Sequence, residues 1–158
     1  MERVNAILRH PVFTATLQEL EELERERIFC RHGLTHLLDV ARLMYLYDLE
    51  EALAISKETV YAAALLHDIG RAAQYRDGTP HDEAGVCIAR PILAESGFAE
   101  DEIMEILTAI GGHRAPGGET PLGRLLYRAD KKSRPCFACN ASAQCNWPEE
   151  KKNHSLEF

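Results

Sequence analysis

Apolar positions recur every three to four residues in segment after segment of this chain, and the strict alternation of a half-buried strand appears nowhere at useful length. Pro11 suits a first helical turn, and the stretch TATLQELEELERERIF behind it carries Leu17, Leu20 and Leu23 at helical spacing. A second helix is predicted from about 33 to 47, with Leu34, Leu37, Leu38, Ala41, Met44 and Tyr45 on a broad apolar face. Ser56 is placed to cap KETVYAAALLH, whose alanines allow close helix packing, and Gly70 is a natural stop. Thr79-Pro80 reads as a cap and first-turn proline for HDEAGVCIARPILAES, which Pro91 should kink or divide. Gly97 ends that segment, and AEDEIMEILTAI begins another with acidic residues at its positive end. Thr120-Pro121 repeats the cap-and-proline arrangement before PLGRLLYRADKK. The pattern predicts an all-α fold, one bundle of five to seven helices over residues 1–132. A polar, Cys-containing tail over 133–158 packs on it or trails from it.

Composition narrows the classes. A chain of 158 residues fits one domain and can bury a core without staples. No run of about 18 apolar residues occurs, so no membrane span is expected, and the first residues lack a secretory pattern, which makes the cytoplasm the expected location. The net charge of −7 argues against a nucleic-acid polymer as partner, because neutralising phosphates requires surplus cations. One basic island interrupts the acidic balance: Arg124, Arg128, Lys131, Lys132 and Arg134. Its bland reading is a solvated helix face, but it surrounds Asp130, which gives anion attraction more weight. The five cysteines, Cys30, Cys87, Cys136, Cys139 and Cys145, are odd in number, and reduced thiols or metal ligands are expected rather than a disulfide framework.

Seven histidines are present, and four of them, His36, His67, His81 and His113, fall where helices begin, end or face the core. A lone core histidine is usually a packing residue. His67-Asp68 is sharper, because the pair terminates the apolar run YAAALL, and a carboxylate emerging from a buried helix end is costly unless a cation balances it. His10, His32 and His154 read as surface residues.

Three stretches together resemble the HD-domain superfamily of metal-dependent phosphohydrolases: His36 in THLLDVARLMY, His67-Asp68 in AALLHDIGR, and Asp130 in LLYRADKKSR. The likeness spans roughly residues 30 to 132. It implies that these four side chains converge from separate helices on one metal. His81 and His113 extend it toward the branch resembling bacterial diadenosine tetraphosphate hydrolases, which implies a second ion held by His81, His113 and a bridging Asp68. Iron, manganese, zinc and cobalt all suit such mixed nitrogen and oxygen ligands. Arg71 stands where that family commonly has lysine after HDIG, and its planar fork suits a phosphate.

The chemistry expected is hydrolysis of a phosphoester or phosphoanhydride, in a small molecule such as a nucleotide, by metal-activated water. Asp68 and Arg71 are the catalytic candidates, and Arg71, Arg114, Arg128 and Lys131 the candidates to hold phosphate. Specificity is expected from the loops 75–79 and 115–119. Two other readings stay open: a di-iron redox enzyme of HD type, and a nucleotide-sensing module without turnover. Separately, Cys136-x2-Cys139-x5-Cys145 offers three soft ligands one short of a tetrahedral set, with Cys30 available as the fourth. A structural zinc, an iron–sulfur cluster or free thiols on a loose tail are all compatible with that spacing.

Overall fold

The computed structural model describes residues 1–113 and 120–156. Among them are seven α-helices of eight residues or more, α1 (Glu2–Arg9), α2 (Pro11–Leu23), α3 (Leu34–Glu51), α4 (Lys57–Leu66), α6 (His81–Glu95), α7 (Glu100–Gly112) and α8 (Pro121–Lys132). The short α5 (Arg71–Asp77) links α4 to α6, and the described residues contain no strand. None of these helices is long and apolar enough to cross a membrane.

α4 lies at the centre. Every residue from Ala62 to Leu66 is fully buried, and α1, α3, α6, α7 and α8 all pack against this helix. The three consecutive alanines explain the crowding, since small side chains let several helices approach one axis. α3 buries His36, Leu37, Val40, Ala41, Met44, Tyr47 and Asp48, a stripe at steps of three and four that faces α4 and α8. The histidine at its start is thus carried on the core-facing side. Thr120 caps α8 through Gly123 N–H, with Pro121 in the first turn, as its sequence predicts.

Several local expectations are corrected. α2 stops at Leu23 instead of running on toward Phe29, and the chain turns so that Glu24 points inward. Ser56 occupies an N-cap position but its hydroxyl makes no capping bond. Thr79 does not cap α6: its hydroxyl donates to Asp77 Oδ1 at 2.6 Å, and Pro80 holds the cap position. Pro91 does not divide α6, which is continuous from His81 to Glu95. Pro91 and Cys87, whose carbonyl loses its helical donor, both lie on the exposed side, where water can replace the missing bond.

Gly70 is needed for a close approach. Its φ of −71° suits any residue, but a Cβ there would lie 2.0 Å from the His81 carbonyl oxygen and 2.5 Å from Gly85 N. The turn after α4 therefore presses directly on the backbone of α6, which sets where His81 begins. Gly70→Ala is expected to cost about 1–3 kcal/mol through forced backbone displacement. Denaturant unfolding checks this, and a variant as stable as the parent would refute the tight contact.

The tail is tied to the bundle. Asn153 Nδ2 donates to the carbonyls of Lys131 and Arg134, both at 2.8 Å, and Lys152 is buried with Nζ donating to Ser142 O at 2.9 Å. Three 3₁₀ turns, Cys136–Ala138, Ser142–Gln144 and Glu149–Lys151, make up most of its regular structure.

Candidate metal centre

Five helix termini or adjacent turns deliver buried imidazoles to one place. His36 comes from the first turn of α3, His67 from the end of α4, His81 from the first residue of α6, His113 from the end of α7, and His32 from the turn before α3. Asp68 follows His67, and Asp130 comes from the last turn of α8. All seven are buried, His67 completely.

The rings share one arrangement, with Nδ1 anchored outward. Nδ1 of His67 donates to Ala64 O at 2.7 Å and that of His113 to Ile110 O at 2.6 Å. His81 Nδ1 meets Gln74 Oε1 at 2.8 Å, His36 Nδ1 meets Ser133 Oγ at 3.3 Å, and His32 Nδ1 meets Glu24 Oε1 at 2.5 Å. A carbonyl oxygen only accepts, so the proton resides on Nδ1 and Nε2 turns inward with its lone pair, the orientation by which outer partners prepare histidines as ligands.

The inward atoms form two groups whose donors lie within 4.8 Å of one another: His36, His67, Asp68 and Asp130, and Asp68, His81 and His113. In the first, His67 Nε2 stands 3.2 Å from Asp68 Oδ2, and His36 Nε2 stands 3.4 Å from Asp130 Oδ1. In the second, His81 and His113 Nε2 stand 3.6 and 3.8 Å from Asp68 Oδ1. The two oxygens of Asp68 thus face different groups.

Three features show that these residues suit cations. His67 Nε2 and Asp68 Oδ2 are buried polar atoms with no hydrogen-bond partner, which is costly unless something else satisfies them. His81 and His113 present Nε2 to each other at 3.1 Å. Burial first, then the Arg71 charge, takes His81 down to about 4, and burial likewise lowers His113, so two bare lone pairs confront one another. A shared cation relieves that repulsion. Finally, although burial opposes it, the Asp68 charge raises His67 to about 9, so this acidic corner draws positive charge to His67 Nε2, a proton or, in its place, a metal ion. Burial also opposes ionisation of Asp68, yet His67 and Arg71 hold its carboxyl well below the usual range. Asp130 is held low in the same way by His36 and His67.

Cationic side chains border the centre. Arg71 Nε donates to Asp68 Oδ1 at 2.7 Å, and Lys131 Nζ to Asp130 Oδ2 at 2.6 Å. Arg134 is buried, with Nη2 donating to Asp130 Oδ1 at 2.9 Å and 3.1 Å from His36 Nε2, while its Nε has no partner. Along the chain Arg134 is only a member of the basic island. Arg128, expected to hold phosphate, is instead paired with Glu51 at 2.7 Å and stacked 3.7 Å over Tyr47, because its helical position faces α3 rather than the centre. Arg114 and the loop 115–119 lie outside the described residues.

His32 is a second correction. Far from being a surface residue it is 4 % exposed, with Nε2 4.0 Å from Asp68 Oδ2. Glu24, 1 % exposed, receives both the backbone N–H and Nδ1 of His32 as well as the Tyr75 hydroxyl at 2.8 Å. Burial opposes its ionisation, but the bonds from His32 and Tyr75 bring Glu24 down to about 2. His32 itself is lowered by burial, so its ring is neutral at pH 7. His10 is buried as well, with Nδ1 capping α2. Of the three, only His154 is exposed.

A buried cage of histidines and aspartates on a helical bundle defines the class: a metal-binding helical domain of HD type. The HD domain family matches residues 33–134, and the chain belongs to that superfamily of metal-dependent phosphohydrolases. An uncharacterized protein of Clostridium beijerinckii is 42% identical over 158 residues, the full length of both chains. A crystal structure described as a predicted HD superfamily hydrolase, from an uncultured Thermotogales bacterium, is 25% identical with a TM-score of 0.64. The match covers 96% of this chain and 87% of that one.

Proposed function

We propose that the protein hydrolyses a phosphoester or phosphoanhydride of a small molecule, a nucleotide being the leading class, at a two-metal centre. The observation that carries this reading is Asp68, whose two oxygens face two separate sets of buried nitrogen donors. His36, His67, Asp68 and Asp130 would hold one ion, and Asp68, His81 and His113 the other. Ions bound there would polarise phosphoryl oxygens and bring the pKa of bound water toward about 7.

The chain's own residues supply the rest. Arg71 and Arg134 border the centre on different carboxylates, Arg71 bonded to Asp68 and Arg134 to Asp130, each through one guanidinium nitrogen. Arg71, partly exposed, keeps its Nη groups for phosphate oxygens, for which the planar fork is well shaped, whereas the buried Arg134 is engaged with Asp130, His36 and Arg31 and steadies the centre. His32, neutral and with Nε2 turned toward Asp68, is placed to take a proton from the attacking water, and Glu24 steadies the resulting imidazolium. A cleft of about 430 Å³ beside His36, lined also by Glu24, Arg31 and Thr35, gives a small ester access.

The test is phosphate release from a panel of nucleotides and simple phosphomonoesters, with the protein loaded in turn with manganese, iron and cobalt. Release is expected to depend on metal, stop on chelation and vanish in His67→Ala. Absence of release from every substrate with every metal would remove the hydrolase reading.

A further inference from the structure

Four of the five cysteines meet at one place that the hydrolytic centre does not use. Cys30, from the turn before α3, joins Cys136, Cys139 and Cys145 of the tail around a small internal cavity, closed by Phe29, Ser142 and Lys152. More than a hundred residues of sequence separate Cys30 from the other three. The fifth, Cys87, lies exposed on α6 and takes no part. All five are free thiols.

We propose that Cys30, Cys136, Cys139 and Cys145 form a tetrathiolate metal site, and that it takes an iron–sulfur cluster. Thiolates are soft ligands that select zinc or iron–sulfur centres over hard cations. A single tetrahedral zinc, with Zn–S bonds of about 2.3 Å, would draw its sulfurs to roughly 4 Å from one another. The only donor groups within 4.8 Å among the described residues belong to the histidine–aspartate centre, so no three of these sulfurs are that close. A [4Fe–4S] cubane uses the same four cysteines but holds them at the corners of a wider core.

The surroundings fit an anionic centre. Each thiol gives up its proton on ligation, and Lys152 lines the cavity, its ammonium held there by Glu149 and the Ser142 carbonyl. The tail has little apolar burial of its own, Ala141 being the one buried hydrophobic among its described residues, so a metal would supply the crosslink that its packing lacks. The same two segments reach the hydrolytic centre. Cys30 lies two residues before His32, and Cys136 two residues after Arg134, whose Nη1 also bonds Arg31 O at 3.5 Å. A cluster here would hold His32 and Arg134 in register.

Protein purified without exposure to oxygen is expected to contain about four iron and four acid-labile sulfide per chain in this site. That sulfide should persist in His67→Ala and in Cys87→Ser and be lost in the Cys136→Ser/Cys139→Ser double variant. Thiol reactivity of the parent protein gives a reading independent of whether the double variant folds. One thiol, Cys87, should alkylate at once, and the other four only after the metal is stripped. Zinc in place of iron and sulfide would overturn the cluster. Five equally reactive thiols, with no metal that depends on them, would overturn the site, and neither result would touch the hydrolase reading.

Discussion

Asp68→Ala is expected to empty both metal positions at once, whereas His113→Ala should lose one ion and retain the other. The contrast follows from geometry, since Asp68 Oδ2 faces His36 and His67 while Oδ1 faces His81 and His113. Outer partners of metal ligands alone are worth about 10–100-fold in affinity or activity, so loss of a bridging ligand should lower kcat/KM by more than about a hundredfold. Elemental analysis of the purified variants, set beside their circular dichroism, measures the effect. Removing this carboxylate also leaves Arg71 and His67 without their nearest anion, so Asp68→Asn, which keeps the shape, belongs in the same series. A full metal complement in Asp68→Ala would end the two-metal arrangement.

Glu24→Gln should act through His32, with metal content unchanged. Expected is a fall of about 10–100-fold in kcat with KM little altered. The pH profile carries the distinguishing sign. The Glu24 carboxylate raises the pKa of His32 against the effect of burial, so its removal lowers that pKa and the acid limb of activity should move to lower pH. A merely structural role for Glu24 would leave that limb in place. Stability follows the opposite partner. Glu24 has a folded-state pKa of about 2 against an ordinary 4.5, so its contribution is complete above about pH 4.5 and is lost as pH falls through 2. A shift of that size corresponds to roughly 3–4 kcal/mol. Acid unfolding of parent and Glu24→Gln should therefore converge at low pH. An acid limb and kcat equal to the parent's would exclude His32 as the proton acceptor.

The helices, their order and most of the histidine set are readable in the linear chain because they rest on local chemistry. Periodicity near 3.6 places the apolar stripe of α3, the alanine run marks α4 as a helix for close packing, and Thr120-Pro121 specifies the start of α8 through a bond made three residues away. His67-Asp68 stands out because a charged group at the end of an apolar helix needs a partner. Glu24, His32 and Arg134 escape such reading. Glu24 sits in what looks like the polar continuation of α2, and only the turn after Leu23 sends it inward. Arg134 and Arg128 are equivalent members of one basic run, yet helical phase and the end of α8 send one to Asp130 and the other to Glu51.

Local chemistry along the chain thus sets the class of element over most of the bundle and the inventory of groups able to hold a cation. Tertiary packing alone decided which nitrogen of each ring faces inward, which arginine enters the centre, and that Cys30 meets a tail more than a hundred residues later. The physical reason is one of range: capping, periodicity and turn chemistry act over a few residues. Desolvation and charge pairing depend instead on which distant helices exclude water from the same few ångströms.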